Sequence, residues 1–327
     1  MALFTKFASN IEAMKSKLTV LYFSIWLGGT FWSVSGQFID AEIAPKWYFA
    51  LFGGTFLCWM YGISHFRSIP TTKKPHFTGI FFSISLCATA LAFHGLLQWS
   101  GLWAPQSMFP VCGNFDNPAG IASALAFSLP FSLHYTHSPC IPLRYTALAS
   151  TLLMACAITA SESRAGILSM GCVFLLYFPM KWPKISKALT FGLVMLFTVS
   201  SVFLYHYKKD SADGRLLIWQ CTWNMIKERP LYGYSHGGFQ ANYMDEQAQF
   251  FRTHPNSRYA RLADDVKSPF NEYLGVLTDF GFVGGTAVFL CTVMLFLMWR
   301  KHPGGSSRPA LLCLTAIAVF SLFSYPF

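Results

Sequence analysis

The chain has 327 residues, 54% of them hydrophobic and only 12% charged, with a formal net charge of +10. A soluble domain carries about 25% charged residues, and a water-facing surface needs that polar cover, so the composition excludes an ordinary soluble globule. The charges are clumped, and the stretches between them are long enough to cross a hydrocarbon core of about 30 Å.

Taken in chain order, the uncharged stretches predict about nine transmembrane helices, at roughly 18–36, 47–64, 77–98, 119–136, 145–160, 165–180, 188–206, 280–299 and 310–327. The first follows Lys6, Lys15 and Lys17 as a signal peptide would. It is longer than a usual signal core and many spans follow it, so it reads as a retained helix. The basic residues orient the set. Thirteen lie on the N-terminus and the even-numbered connections: Lys6, Lys15, Lys17, Arg67, Lys73, Lys74, Arg144, Lys181, Lys184, Lys187, Arg300, Lys301 and Arg308. The short odd-numbered connections hold only Lys46 and Arg164. By the positive-inside rule the N-terminus is cytoplasmic and the odd connections face outward; the long seventh connection escapes the rule. Of the fourteen acidic residues only Glu12 falls inside. Much of the positive charge is therefore a topology signal and calls for no nucleic acid. The nine cysteines include no CxxC and read as small packing residues, although Cys112 and Cys221 both face outward and are candidates for pairing.

The outward connections carry the polar chemistry. The third, Gly101–Ala119, is rich in Gly, Pro and Asn and reads as turns. The seventh is a large loop at 207–267. Within it, Arg215–Arg229 predicts an amphipathic helix, because Leu216, Trp219, Trp223 and Ile226 fall on one face. Its two tryptophans suit a membrane interface. Pro230 ends it, and Gly233, Gly237 and Gly238 make the following turn. Phe239–Arg252 predicts a second short helix, and Asn271–Phe280 a third that leads into the eighth span at Gly281. The fold class is all-α: a polytopic transmembrane helical bundle with a large outward loop containing short helices.

Each candidate site residue has two readings. Arg164, at the outer end of the fifth and sixth spans, snorkels or pairs with Glu162, or it is a fixed guanidinium for an anion. A planar fork binds phosphate oxygens in pairs, which lysine cannot do. Arg215 is an exposed charge on an interfacial helix, or a second phosphate-binding arginine. Glu272, beside Asn271 where the chain re-enters the membrane zone, caps or salts a short helix, or takes a proton from an acceptor hydroxyl. His254 is a solvated loop histidine or an alternative base; His94 and His134 lie within spans and read as packed. Asn114 and Asn117 make turns or contact a sugar. There is no metal-ligand spacing, no phosphate-cradling glycine loop and no nucleophile elbow.

Four segments, in this order, resemble the bacterial O-antigen ligase and O-antigen polymerase superfamily: Gly113-Asn114-Phe115-Asp116-Asn117-Pro118; Ser163-Arg164-Ala165-Gly166; Arg215 and Trp219 followed by Met225 to Tyr234; and Asn271-Glu272-Tyr273-Leu274 with Asp279 to Gly284. The resemblance covers about 113–327, which divides the chain into N-terminal helices at 1–112 and a ligase-related domain at 113–327 carrying spans four to nine. It implies a glycosyltransferase in the bacterial inner membrane, with the large loop periplasmic. Such enzymes take a glycan from undecaprenyl diphosphate. Ligases pass it to lipid A-core in lipopolysaccharide synthesis, polymerases to another lipid-linked unit, and related transferases to protein. Arg164 and Arg215 match the family's diphosphate-holding arginines, and no metal or other cofactor is implied. Two departures stand out. The ligases usually place a histidine just before the Asn of the re-entry motif, where this chain has Phe270, so Glu272 is the expected base and His254 its rival. Relatives commonly continue beyond the point where this sequence stops, which leaves a fragment or truncated product open. A transporter would show ionisable residues in mid-span, and the predicted spans hold no Asp, Glu, Lys or Arg. An inactive membrane protein is the remaining alternative.

Overall fold

The computed structural model describes residues 2–38, 41, 43–66, 78–105, 107–181, 209–301 and 307–324, with scattered positions between 191 and 206. Among these the regular structure is all helical: α1 (Ala2–Trp32), α2 (Ala44–Phe66), α3 (Thr78–Trp99), α4 (Pro118–Tyr135), α5 (Ile141–Ala160), α6 (Arg164–Lys181), α7 (Lys209–Glu228), α8 (Gly238–Thr253), α9 (Glu272–Lys301) and α10 (Ser307–Phe323), with a 3-10 turn at Arg258–Leu262. Eight predicted spans coincide with α1 to α6, α9 and α10; the seventh, 188–206, lies largely outside the described residues. Among the described residues three helices are long and apolar enough to cross a membrane, Gly79–Trp99, Ile141–Ala160 and Glu272–Met298, and two shorter ones, Arg164–Met180 and Arg308–Phe323, are apolar. The chain divides into two compact units, Met1–Ser163 and Arg164–Phe327.

In the first unit α3 packs against α1, α4 and α5. Leu91, Ile121, Leu125 and Met154 are fully buried there. The hydroxyls between these helices bond one another: Ser132 Oγ donates to Ala147 O (3.1 Å) and Ser150 Oγ (3.0 Å), and Thr151 Oγ1 donates to Ser132 Oγ (3.2 Å). Such bonds satisfy polar groups that have no water to turn to. The turn before α4 is pinned by the buried Gln98, whose Oε1 accepts from Cys112 N (3.1 Å) and Gly113 N (2.8 Å) while Nε2 donates to Gly113 O (2.8 Å). Gly113 takes φ +63°, a left-handed conformation that favours glycine.

In the second unit α6 packs against α10, where Ser169 Oγ donates to Ala316 O (2.7 Å). The remaining helices form a small domain with its own core: Leu217, Ile218, Cys221 and Met225 from α7 close on Phe239 and Tyr243 from α8 and on Tyr259. Leu217 and Cys221 have no exposed surface. Burying one such leucine contributes about 1.5–3 kcal/mol. The core face of α7 is thus rotated in part from the expected stripe: Ile226 is buried, Leu216 and Trp219 pack at the core's edge, and Trp223 is half exposed. The core residues Leu217, Ile218, Cys221 and Met225 repeat at helical spacing too, beside that stripe. Cys112 and Cys221 are both buried free thiols. Burial, with the nearby Glu246 charge, pushes the Cys221 thiol up to about 12, so it stays a neutral packing group.

Helix α9 breaks at Gly281 (φ 62°, ψ −165°), where the sequence predicted a junction. The segment at 230–235 repairs the interrupted hydrogen bonding. Tyr234 N donates to Thr278 O (2.9 Å) and Ser235 N to Asp279 O (2.8 Å), while Phe282 N donates to Pro230 O (2.8 Å) and Val283 N to Leu231 O (3.2 Å). A Cβ on Gly281 would collide with Leu231 O, and one on Gly233 with Thr278 O. Both glycines are therefore required by close approach as well as by positive φ. Asp279 completes the joint: its carboxylate accepts from Gly237 N (2.9 Å) and Phe239 N (3.1 Å), capping α8.

Candidate functional site

Arg164 is the first residue of α6 and is half buried. Its Nη2 donates to Ser211 Oγ (2.8 Å) in the first turn of α7. Arg215 lies one turn further along α7, and residues four apart share a helix face. The two arginines are thus brought together at the start of α7. That helix begins at Lys209, earlier than the expected Arg215, so Ser211 sits on it rather than in a loop.

The end of α10 meets the same place. A helix C-terminus leaves carbonyls without intrahelical partners and carries partial negative charge. Arg215 Nη1 donates to Phe323 O, and Asn271 Nδ2 donates to Leu322 O (3.2 Å). Asn271 also caps α9, its Oδ1 accepting from Leu274 N (3.1 Å). Tyr273 OH donates to Ala318 O (3.0 Å), one turn lower on α10. Phe270, at the position of the expected histidine, has φ 52° and lays its ring 5.2 Å from the Arg215 guanidinium. Trp219 Nε1 holds this segment by donating to Pro269 O (2.9 Å).

Glu272 opens α9 beside Asn271 and is half buried. A carboxylate in a first turn is favoured by the helix dipole. Among the described residues no hydrogen bond or ion pair reaches it, so the reading of Glu272 as a salt partner for the helix has no support. The cap of α9 is Asn271 instead.

The structure places the other expected residues elsewhere. His254 ends α8, exposed, with Nδ1 2.9 Å from Thr253 Oγ1 and 3.1 Å from Phe250 O, and its ring stacked on Phe250 at 4.7 Å. It lines a separate cleft of about 830 Å³ that neither arginine, Asn271 nor Glu272 reaches. Asn114 and Asn117 belong to the first unit and serve turns: Asn117 Oδ1 accepts from Gly120 N (3.1 Å) to cap α4, and Asn114 Nδ2 contacts Trp32 O at 3.5 Å. Reading the sequence missed Ser211 and Tyr273. Only for Tyr273, within the re-entry motif, was there a sequence signal.

Residues 149–290 match the family model described as O-antigen ligase. No curated protein matches the chain, and neither does any solved structure. The matched stretch contains Arg164, Arg215, Asn271, Glu272 and the Gly281 joint, and leaves Asn114 and Asn117 outside. Three of the four motif segments lie within the matched stretch, so the resemblance read from them and the family match agree that residues 149–290 are similar to the O-antigen ligase family.

Proposed function

We propose that this chain is an inner-membrane glycosyltransferase that moves a glycan from undecaprenyl diphosphate to a hydroxyl of lipid A-core, as an O-antigen ligase. The observation that carries this is the convergence of Arg164 and Arg215 on the first two turns of α7, within the family-matched stretch. A guanidinium presents five N–H donors in a fixed fork, and two such forks side by side suit a diphosphate. Held on Ser211 and on the α10 terminus, both are oriented before substrate arrives, which is what stabilisation of developing charge requires.

In this mechanism Arg164 and Arg215 bind the diphosphate. Glu272, with no ion-pair partner among the described residues, accepts the proton of the acceptor hydroxyl. The hydroxyl oxygen attacks the anomeric carbon, the bond from that carbon to the phosphate oxygen breaks, and undecaprenyl diphosphate leaves with the electron pair. Inversion at the anomeric carbon follows from the single displacement. Asn271 fixes the α9 N-terminus and so positions Glu272. The topology that serves this is the nine-span one, with the N-terminus cytoplasmic, the 207–267 loop periplasmic and the ligase domain at 113–327.

The test is a strain lacking the gene, complemented with this chain, with surface lipopolysaccharide and undecaprenyl-linked glycan measured together. Loss of the long-chain ladder with accumulation of full-length lipid-linked polymer, both reversed by the chain, is the expected result. Accumulation of single lipid-linked repeats makes it a polymerase, and no change in either pool points to a protein acceptor or an inactive chain. Glu272→Gln is expected to lower transfer by about 100-fold or more. Full activity in Glu272→Gln with loss in His254→Ala would move the base to His254.

A further inference from the structure

The cleft of about 830 Å³ in the second unit is not used by the mechanism above, and its lining is unusual in what it leaves unspent. Helix α7 contributes Gln220, Trp223 and Asn224; α8 contributes Glu246 and Gln249; and the segment after α8 contributes Asn256. Trp223 is 48% exposed despite its size. The stacked rings of Phe250 and His254 stand on the same lining. Among the described residues no side-chain hydrogen bond uses the amides of Gln220, Asn224, Gln249 or Asn256, or the Trp223 indole N–H.

Glu246 is the second, independent observation. It is only 7% exposed, it borders both this cleft and a smaller neighbouring one of about 290 Å³, and among the described residues no hydrogen bond or ion pair reaches its carboxylate. The next residue, Gln247, shows the ordinary behaviour of a buried polar group: its Nε2 donates to Tyr243 OH (2.7 Å) and Asp264 O (3.2 Å). The Glu246 oxygens are not among the enclosed polar atoms left without a partner, so they open onto the clefts, where water or a ligand hydroxyl can donate to them.

We propose that this cleft is a carbohydrate-binding subsite, in which a sugar ring packs on Trp223 while neighbouring hydroxyls bond Glu246 and the amides of Asn224 and Asn256. An amide offers a donor and an acceptor side by side, which matches adjacent hydroxyls on a ring. Aromatic faces take the apolar C–H face of the same ring. One carboxylate among four neutral amides suits neutral hydroxyls better than a cation. Trp223 lies eight residues beyond Arg215 on α7, about 12 Å along the helix axis. The subsite therefore binds sugars a few rings away from the reacting centre. It rests on the glycosyl-transfer reading for its place in catalysis, and not for the binding itself.

Two soluble probes test it on the full chain in nanodiscs: O-polysaccharide released from its lipid carrier by mild acid, and core oligosaccharide released from lipid A. Neither carries a diphosphate linker for the arginines to hold. Titration calorimetry is expected to show binding of one of them, and which one binds says whether the subsite serves the donor or the acceptor. Trp223→Ala and Asn256→Ala, both at surface positions, are each expected to weaken that binding at least tenfold without changing the elution volume of the protein. Binding of neither probe, or parental affinity in both variants, overturns the proposal. Transfer measured on Arg215→Ala judges the clamp reading separately. A glycan that binds through Trp223 in a chain whose transfer ignores Arg215 keeps the subsite and removes the clamp.

Discussion

The two polar regions of α7 differ in how they use their side chains. At its N-terminal end Arg164, Arg215 and Asn271 are bonded to Ser211, Phe323 O and Leu322 O, so each is held in one orientation. Two turns further on, Trp223 and Asn224 face a cleft with no such bonds among the described residues, and Glu246 lies opposite without a donor. One helix thus carries a region built for rigidity and a region left for a ligand to complete. Rigid donors favour stabilisation of a charge that develops during reaction. Unspent amides favour binding of a group that brings its own hydroxyls.

The sharpest way to break this comparison is at Arg215. If the guanidinium acts on the diphosphate, Arg215→Ala lowers transfer by about 100-fold or more in protein that still elutes as folded. Arg215→Lys recovers little, because the charge remains but the fork is lost. If Arg215 only caps α10, the melting temperature drops while the rate per folded molecule stays near the parent's. The next largest effect tests the core that supports both regions. Leu217→Ala should destabilise the loop domain by about 2–5 kcal/mol in chemical unfolding. A change within about 0.5 kcal/mol would instead mean that Leu217 is a surface residue and that α7 buries the Trp219 and Trp223 face. The smallest effect concerns the first unit. Asn117→Ala should cost about 1 kcal/mol by loss of the α4 cap, read as faster amide exchange in the first turn of α4, with transfer unchanged. A loss of transfer would return Asn117 to the list of sugar contacts.

The helices themselves were largely legible, because uncharged runs and helical spacing are local properties. The break at Gly281 was legible as well, since Gly281 and Gly284 punctuate an otherwise continuous apolar run. The partners were not. Arg164 and Ser211 are 47 residues apart, and nothing local to Ser211 marks it as the hydroxyl that meets a guanidinium. The helix was expected to start at Arg215, yet it begins at Lys209 with Asp213 buried inside it, where tertiary packing overrides weak propensity. The rotated face of α7 escaped for a related reason. The helix carries apolar residues on most of its circumference between 216 and 226, so spacing alone admits two stripes, and only Phe239 and Tyr243 decide between them. Glu246 gave no signal at all, because its burial is created by the packing of α8 on α7.

The exchange of backbone hydrogen bonds between 230–235 and 278–283 bears on how the protein is made. Gly281 interrupts a helix long and apolar enough to cross a membrane, and the amides and carbonyls it releases find their partners only in the earlier segment. Lipid offers no substitute partner. The segment at 230–235 therefore has to be in place before α9 can settle, which makes folding of this half of the chain an ordered sequence with that segment as its template.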